Sequence, residues 1–253
     1  MIHCIGDSHV SFFSGYDEIQ PEYPVPSRSR EGFFKVYRLG AVLAYNLMSF
    51  DTKEMGREKL LDLVPKLEGG SDLLLCFGEI DCRCHIIKQA EKQKRPVDAI
   101  VDDCADNYFK VVDELLASGF SVIIWGVIPS AESTNKEYPT YGSMVERNNC
   151  SHKFNMALEQ RCKARQIKFV SIFDRLVDKS NRTRIEYYFD AIHLGQAAMP
   201  LAIEEFRRNA VEIDVESHGR MYSQYMKLKI ICQLAIKKCR RMLLSKSLYP
   251  TIL

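Results

Sequence analysis

The chain has 253 residues, of which 46% are hydrophobic and 27% are charged, and its formal net charge is +2. These values are ordinary for a globular protein with a sizeable core. No apolar run approaches the ~20 residues that span a bilayer, and the N-terminus lacks the basic start and apolar stretch of a signal peptide. We therefore expect a cytoplasmic protein whose nine cysteines are reduced.

The predicted strands are short apolar runs that alternate along the chain with helix-like stretches. Near-continuous apolar runs are typical of strands covered on both faces, so they favour a parallel sheet between helix layers. The runs are Met1–Gly6, Phe34–Gly40, Asp72–Gly78, Ser121–Pro129 and Ile167–Phe173.

The predicted helices lie between and after these runs. Apolar residues at helical spacing mark most of them, and Gly119 is a good C-cap for the longest. We expect Pro65 to limit the second helix. The stretches are Ala41–Met48, Lys59–Leu67, Asp98–Gly119, Glu146–Gln166 and Gly195–Val211.

The end of the chain is strongly basic. Residues 217–253 contain eight Lys or Arg and no Asp or Glu, so the rest of the chain is net negative. Apolar residues interleave with the basic ones, which predicts a basic amphipathic helix over 213–253, appended to a domain over 1–212. This helix could dock on an anionic membrane surface, or pack on the acidic domain or a second subunit. Nucleic acid is not expected, because no binding motif or aromatic platform accompanies the charge.

The first predicted strand ends in Gly-Asp-Ser-His, residues 6–9. Asp7 and Ser8 are favoured helix N-caps, so the stretch could simply begin a helix. Ser8 could instead be a nucleophile at a strand end, because ligands of parallel sheets bind outside the carboxyl ends of the strands. The segment 78–83 and the loop after Pro129 would emerge at the same edge.

A serine nucleophile needs a base within hydrogen-bond reach, and the base needs an orienting group. Asp190 and His193 stand three residues apart, so that one loop can present both side chains. The competing interpretation is an N-cap aspartate with a surface histidine before the helix that begins near Gln196.

Taken together, Gly-Asp-Ser after the first strand and Asp-x-x-His before the last helix of the domain resemble the SGNH (GDSL-type) hydrolase family, over about residues 1–210. The resemblance implies an α/β fold, a three-layer α/β/α sandwich with a mostly parallel, flavodoxin-like sheet, and no cofactor. It also implies that Ser8 is the nucleophile, His193 the general base and acid, and Asp190 the group that orients His193.

The resemblance further implies an oxyanion hole made by the backbone N–H groups of Ser8 and a glycine, for which Gly40 is the best candidate. The family's third block is Gly-x-Asn-Asp, whose Asn donates a further hydrogen bond. Here the stretch reads CFGEIDCR, with Ile80 where the Asn would stand. Loss of one such donor typically costs ~3 kcal/mol of transition-state stabilisation.

Three outcomes of this departure remain open. The hole works with two backbone donors, Arg83 replaces the amide, or the protein is a weak or inactive relative. We expect the second, with Asp7, Glu79, Asp81 and Arg83 as substrate-binding residues. A local salt-bridge cluster is the alternative.

A Cys-x-Cys-His cluster (Cys82, Cys84, His85) follows in the same segment. Its spacing is not that of common zinc sites, and no second ligand pair follows at a familiar interval. We therefore expect no metal.

The loop over 129–148 is rich in Ser, Thr, Asn, Tyr and charged residues, whereas a lipid-binding lid would be more apolar. The third block also resembles that of SGNH relatives associated with bacterial surface-polysaccharide enzymes. We therefore expect a serine esterase that removes an acyl group, such as acetyl, from a glycan or another polar small-molecule substrate through an acyl-enzyme. An acyltransferase that uses the same residues, or an inactive glycan-binding relative, remains open.

Overall fold

The structure is a computed structural model that describes residues 1–30, 32–132, 138–213 and 232. The predicted basic helix over 213–253 therefore lies outside the described residues, apart from Ile213 and Cys232. Within the described ranges, no helix is long and apolar enough to cross a membrane.

The sheet has five parallel strands in the order β2-β1-β3-β4-β5. All five predicted strands are present, and most end before the glycine or proline at which the sequence pattern ended. The order places the topological switch point at β1, where ligands of doubly wound sheets bind. The strands are β1 Ile2–Gly6, β2 Phe34–Arg38, β3 Asp72–Cys76, β4 Ser121–Trp125 and β5 Lys168–Val170.

The helices cover both faces of the sheet. Alternate residues of each strand point to opposite faces, so Ile5 packs in one apolar cluster and its neighbour Cys4 in another. The first cluster includes residues of α1–α4 and the second includes residues of α5, which gives the three layers expected of an α/β/α sandwich. The helices are α1 Gly56–Leu63, α2 Ile86–Gln93, α3 Val97–Ala117, α4 Met144–Arg165 and α5 Met199–Arg208.

The helix predicted over Ala41–Met48 is wrong, because this segment forms turns. The carboxylate of Asp81 accepts hydrogen bonds from the N–H groups of Ala44 at 2.8 Å and Tyr45 at 3.2 Å. A buried side chain thus takes the place of helical carbonyls as the acceptor. Conversely, α2 was not predicted and follows a π-helical turn over Asp81–His85.

Candidate active site

Ser8 is the first residue after the sharp turn that ends β1. A short 3₁₀ helix runs from Ser8 to Ser14, and its N-cap is Asp7, whose Oδ1 accepts a hydrogen bond of 2.8 Å from the N–H of His9. A Cβ at Gly6 would lie 2.3 Å from the carbonyl oxygen of Cys76, so only glycine fits there. Both interpretations of the motif therefore apply, since Asp7 caps a helix and the same helix presents Ser8 at the strand end.

Ser8, His193 and Asp190 form a continuous hydrogen-bonded chain. The Oγ of Ser8 lies 2.8 Å from Nε2 of His193, and Nδ1 of His193 lies 2.7 Å from Oδ2 of Asp190. The other carboxylate oxygen of Asp190 accepts from the N–H groups of Ile192 at 2.8 Å and His193 at 2.6 Å. The three-residue spacing of Asp190 and His193 thus produces one turn that holds both side chains.

Asp190 has a pKa below its ordinary value. Burial opposes its ionisation, but the hydrogen bonds from the ring and the N–H of His193 and from the N–H of Ile192 outweigh that cost. The carboxylate therefore stays ionised at neutral pH and accepts a hydrogen bond from the N–H at Nδ1 of His193.

His193 is 3% exposed, and burial lowers its pKa below the ordinary value because a charged imidazole is poorly solvated there. The hydrogen bond to Asp190 acts in the opposite direction without restoring the ordinary value. The ring is therefore neutral at pH 7, with Nε2 able to accept a proton from Ser8.

The two backbone donors expected of the oxyanion hole, the N–H groups of Ser8 and Gly40, lie just beyond the ends of the neighbouring strands β1 and β2. Gly6 of β1 pairs with Arg38 of β2, so Ser8 and Gly40 each stand two residues beyond a paired position. No described residue accepts a hydrogen bond from the N–H of Ser8 or Gly40. Gly40 has φ +108°, a conformation that side chains rarely adopt. Neither N–H group is therefore used by the described part of the fold, and both residues follow strand ends at the same edge of the sheet.

Arg83 is engaged elsewhere. Its Nε donates to both carboxylate oxygens of Glu79, at 2.8 and 3.0 Å, and its Nη1 donates to the carbonyl of Pro139. The salt-bridge alternative is what the structure shows, and none of these contacts joins Arg83 to Ser8. Ile80 is half-buried just before the π-helical turn and brings no donor.

The four residues expected to bind substrate are all buried. Their exposed fractions are 0% for Asp7, 4% for Glu79, 1% for Asp81 and 5% for Arg83. Burial holds the pKa of Asp7 well above its ordinary value, whereas His9 and Arg83 overcome the effect of burial and lower that of Glu79. The contacts seen for these side chains are with other groups of the fold, and a role for them in binding substrate stays a prediction.

Three aromatic rings that the sequence did not indicate contact the ring of His193. The ring centroids lie 4.7 Å away for His9, 5.8 Å for Phe189 and 5.6 Å for Tyr138, which approaches edge-on. In the sequence, His9 is only the last residue of the Gly-Asp-Ser-His motif, and no spacing rule predicts its contact with His193.

The Cys-x-Cys-His cluster lies on the π-helical turn. Cys82 is buried, and the thiol of Cys84 donates to the carbonyl of Pro139 at 2.8 Å. Among the residues that the structure describes, no three His, Cys, Asp or Glu side chains converge as a metal site would require.

Comparison with known proteins agrees with this geometry at the level of the fold. No protein-family model and no curated protein matches the sequence. Among solved structures, a GDSL-like lipase from Bacteroides thetaiotaomicron is similar with a TM-score of 0.50 and 16% identity, covering 83% of this chain and 88% of that one. The M. smegmatis aryl esterase is similar with a TM-score of 0.51 and 15% identity, covering 82% and 98%. The OSK domain of Drosophila Oskar is similar with a TM-score of 0.51 and 9% identity, covering 83% and 88%. The chain therefore has the fold of the SGNH (GDSL-type) hydrolases.

Proposed function

We propose that the protein is a serine ester hydrolase. The Oγ of Ser8 attacks the ester carbonyl carbon while Nε2 of His193 takes its proton, and the N–H groups of Ser8 and Gly40 stabilise the oxyanion. The proton passes to the leaving alcohol as the ester bond breaks, which leaves an acyl group on Ser8. A water molecule activated by His193 then hydrolyses the acyl-enzyme.

The observation that carries this proposal is the chain from Ser8 through His193 to Asp190, with distances of 2.8 and 2.7 Å. A helix cap needs only Asp7 and the N–H of His9, so it gives no reason for the hydroxyl of Ser8 to meet a buried imidazole. The N–H groups of Ser8 and Gly40, for which the described residues supply no acceptor, are the donors that an acyl-transfer site needs next.

The substrate we propose is an acyl ester on a glycan, with acetyl as the simplest acyl group. The half-buried ring of Tyr138 next to His193 offers an aromatic surface of the kind on which sugar rings pack. Arg147 holds the loop beyond β4 through hydrogen bonds to Ser130 at 2.8 Å and to the carbonyl of Ala131 at 3.0 Å. Polar and aromatic side chains at the described ends of this loop suit a hydroxyl-rich substrate better than a lipid chain.

The test is labelling with a fluorophosphonate probe, together with acetate release from acetylated xylan. The wild-type protein should be labelled and release acetate, whereas Ser8→Ala and His193→Ala should do neither. Ser118→Ala, at an exposed serine after α3, is the matched control and should behave as wild type. Labelling that survives in Ser8→Ala would remove the proposal.

The same experiment separates the alternatives. Ser8-dependent labelling without acetate release, but with transfer of acetyl to an added oligosaccharide, would indicate an acyltransferase. A wild-type protein that is not labelled, yet is retained on acetylated xylan, would indicate an inactive binding relative.

A further inference from the structure

Arg83, Glu79 and His9 form a buried row of side chains, called here the support row, that ends against His193. The guanidinium of Arg83 donates to both oxygens of Glu79, and Oε2 of Glu79 lies 2.9 Å from Nε2 of His9. All three residues are at most 7% exposed. The ring of His9 then lies 4.7 Å from that of His193, with 37° between the ring planes.

The support row is not what packing alone would select. Burying charged groups costs free energy that even a well-formed ion pair repays only in part, and apolar residues of the same volume usually serve a core as well. A buried row of charged side chains that ends against a reacting group therefore indicates a role in the reaction. Here the reacting group is His193.

We propose that His9 is a positioning residue for His193, which orients the imidazole through ring contact, and that Glu79 and Arg83 hold His9 in place. This inference rests on the proposed function, because it assigns a role in the same reaction. It also gives the Gly-Glu-Ile-Asp-Cys-Arg stretch a role other than that of an oxyanion donor.

The charged and titratable groups around His193 give the direction of the effect. Asp190 faces it from its own turn, Asp7 and His9 from the end of β1, Glu79 from the end of β3, and Tyr138 from the loop before α4. Of these, the electrostatic effect of His9 lowers the pKa of His193, and Asp190 and Glu79 raise it. Loss of the imidazole at position 9 removes one effect that lowers the pKa of His193, while the effects of Asp190 and Glu79, which raise it, remain.

The test compares His9→Gln, which keeps a donor for Glu79, with His9→Phe, which keeps a ring. The readout is kcat/KM against pH on p-nitrophenyl acetate. In both variants the acid limb should move to higher pH, because a group that lowers the pKa of His193 is lost. The plateau should stay near wild type in His9→Phe and fall about tenfold in His9→Gln, because only the latter loses the ring contact.

His3→Gln is the matched control, since His3 lies at the opposite end of β1 and bonds to Tyr37. It should leave the pH profile unchanged, and thermal unfolding should show that all variants are folded. Folded His9 variants whose acid limb stays at the wild-type pH, or a folded His9→Gln variant with a wild-type plateau, would overturn this inference. If Ser8→Ala retains activity, the proposed function itself fails, so the two failures are distinguishable.

Discussion

The Oγ of Ser8 and the Nε2 of His193 lie 2.8 Å apart although 185 positions separate them in the chain. The contact joins the end of the first strand, β1, to the turn before the last helix of the sheet domain, α5. The hydroxyl of Ser8 thus meets a buried and neutral imidazole. Four measurements test how this site works.

The first concerns pH. Burial lowers the pKa of His193, so this base becomes neutral at a lower pH than an ordinary histidine does. We expect kcat/KM on p-nitrophenyl acetate to rise with pH along a limb whose midpoint lies below about 6.5 and to be flat at neutral pH. A midpoint above pH 7 would contradict the neutral, buried imidazole.

The second concerns the orienting carboxylate. Asp190→Asn removes the charge that stabilises the imidazolium and permits the wrong tautomer, so we expect kcat to fall by about three to four decades. Asp178→Asn is the matched control, because Asp178 likewise accepts from two backbone N–H groups, those of Ser180 at 2.8 Å and Arg182 at 3.0 Å. Equal kcat values for the two variants would show that Asp190 acts only as a turn cap.

The third concerns the backbone donor at residue 40. A Cβ there would meet carboxylate oxygens of Glu22 and Glu54 at 3.1 Å, and the residue would be strained at φ +108°. We expect Gly40→Ala to lose about 1–2 kcal/mol of unfolding free energy and to lower kcat by at least tenfold. Urea unfolding and ester hydrolysis measure the two effects.

Gly70→Ala is the control for that substitution. Gly70 also has a positive φ, of +80°, but no atom lies within 4 Å of the added Cβ. Its unfolding free energy should fall by about 1 kcal/mol with kcat unchanged. A Gly40→Ala enzyme that is destabilised but fully active would mean that Gly40 is only a turn residue.

The fourth concerns the missing amide. Ile80 is half-buried and lies outside both apolar clusters, so the fold should accept Asn at this position. We expect Ile80→Asn to raise kcat, with the two to three decades that one oxyanion donor is worth as the upper bound. Ile80→Val, which adds no donor, should leave kcat unchanged. If Asn gives no gain, a side-chain amide at residue 80 does not reach the reacting oxygen.

The sequence by itself determined the parallel α/β fold and marked Ser8, Asp190 and His193. Apolar strand runs and helical spacing are local patterns, so they predict the fold directly from the sequence. The pairing of Asp190 with His193 is also local, because the two residues share one turn. Only the tertiary structure decided that Asp81 holds the loop over residues 44 and 45, that Arg83 pairs with Glu79, and that His9 faces His193. Glu79 and Arg83 stand at the i, i+4 spacing at which helical side chains can pair, but the spacing does not say whether they pair or bind substrate. The other partners lie at least 36 positions apart, and which of them meet depends on how buried side chains pack.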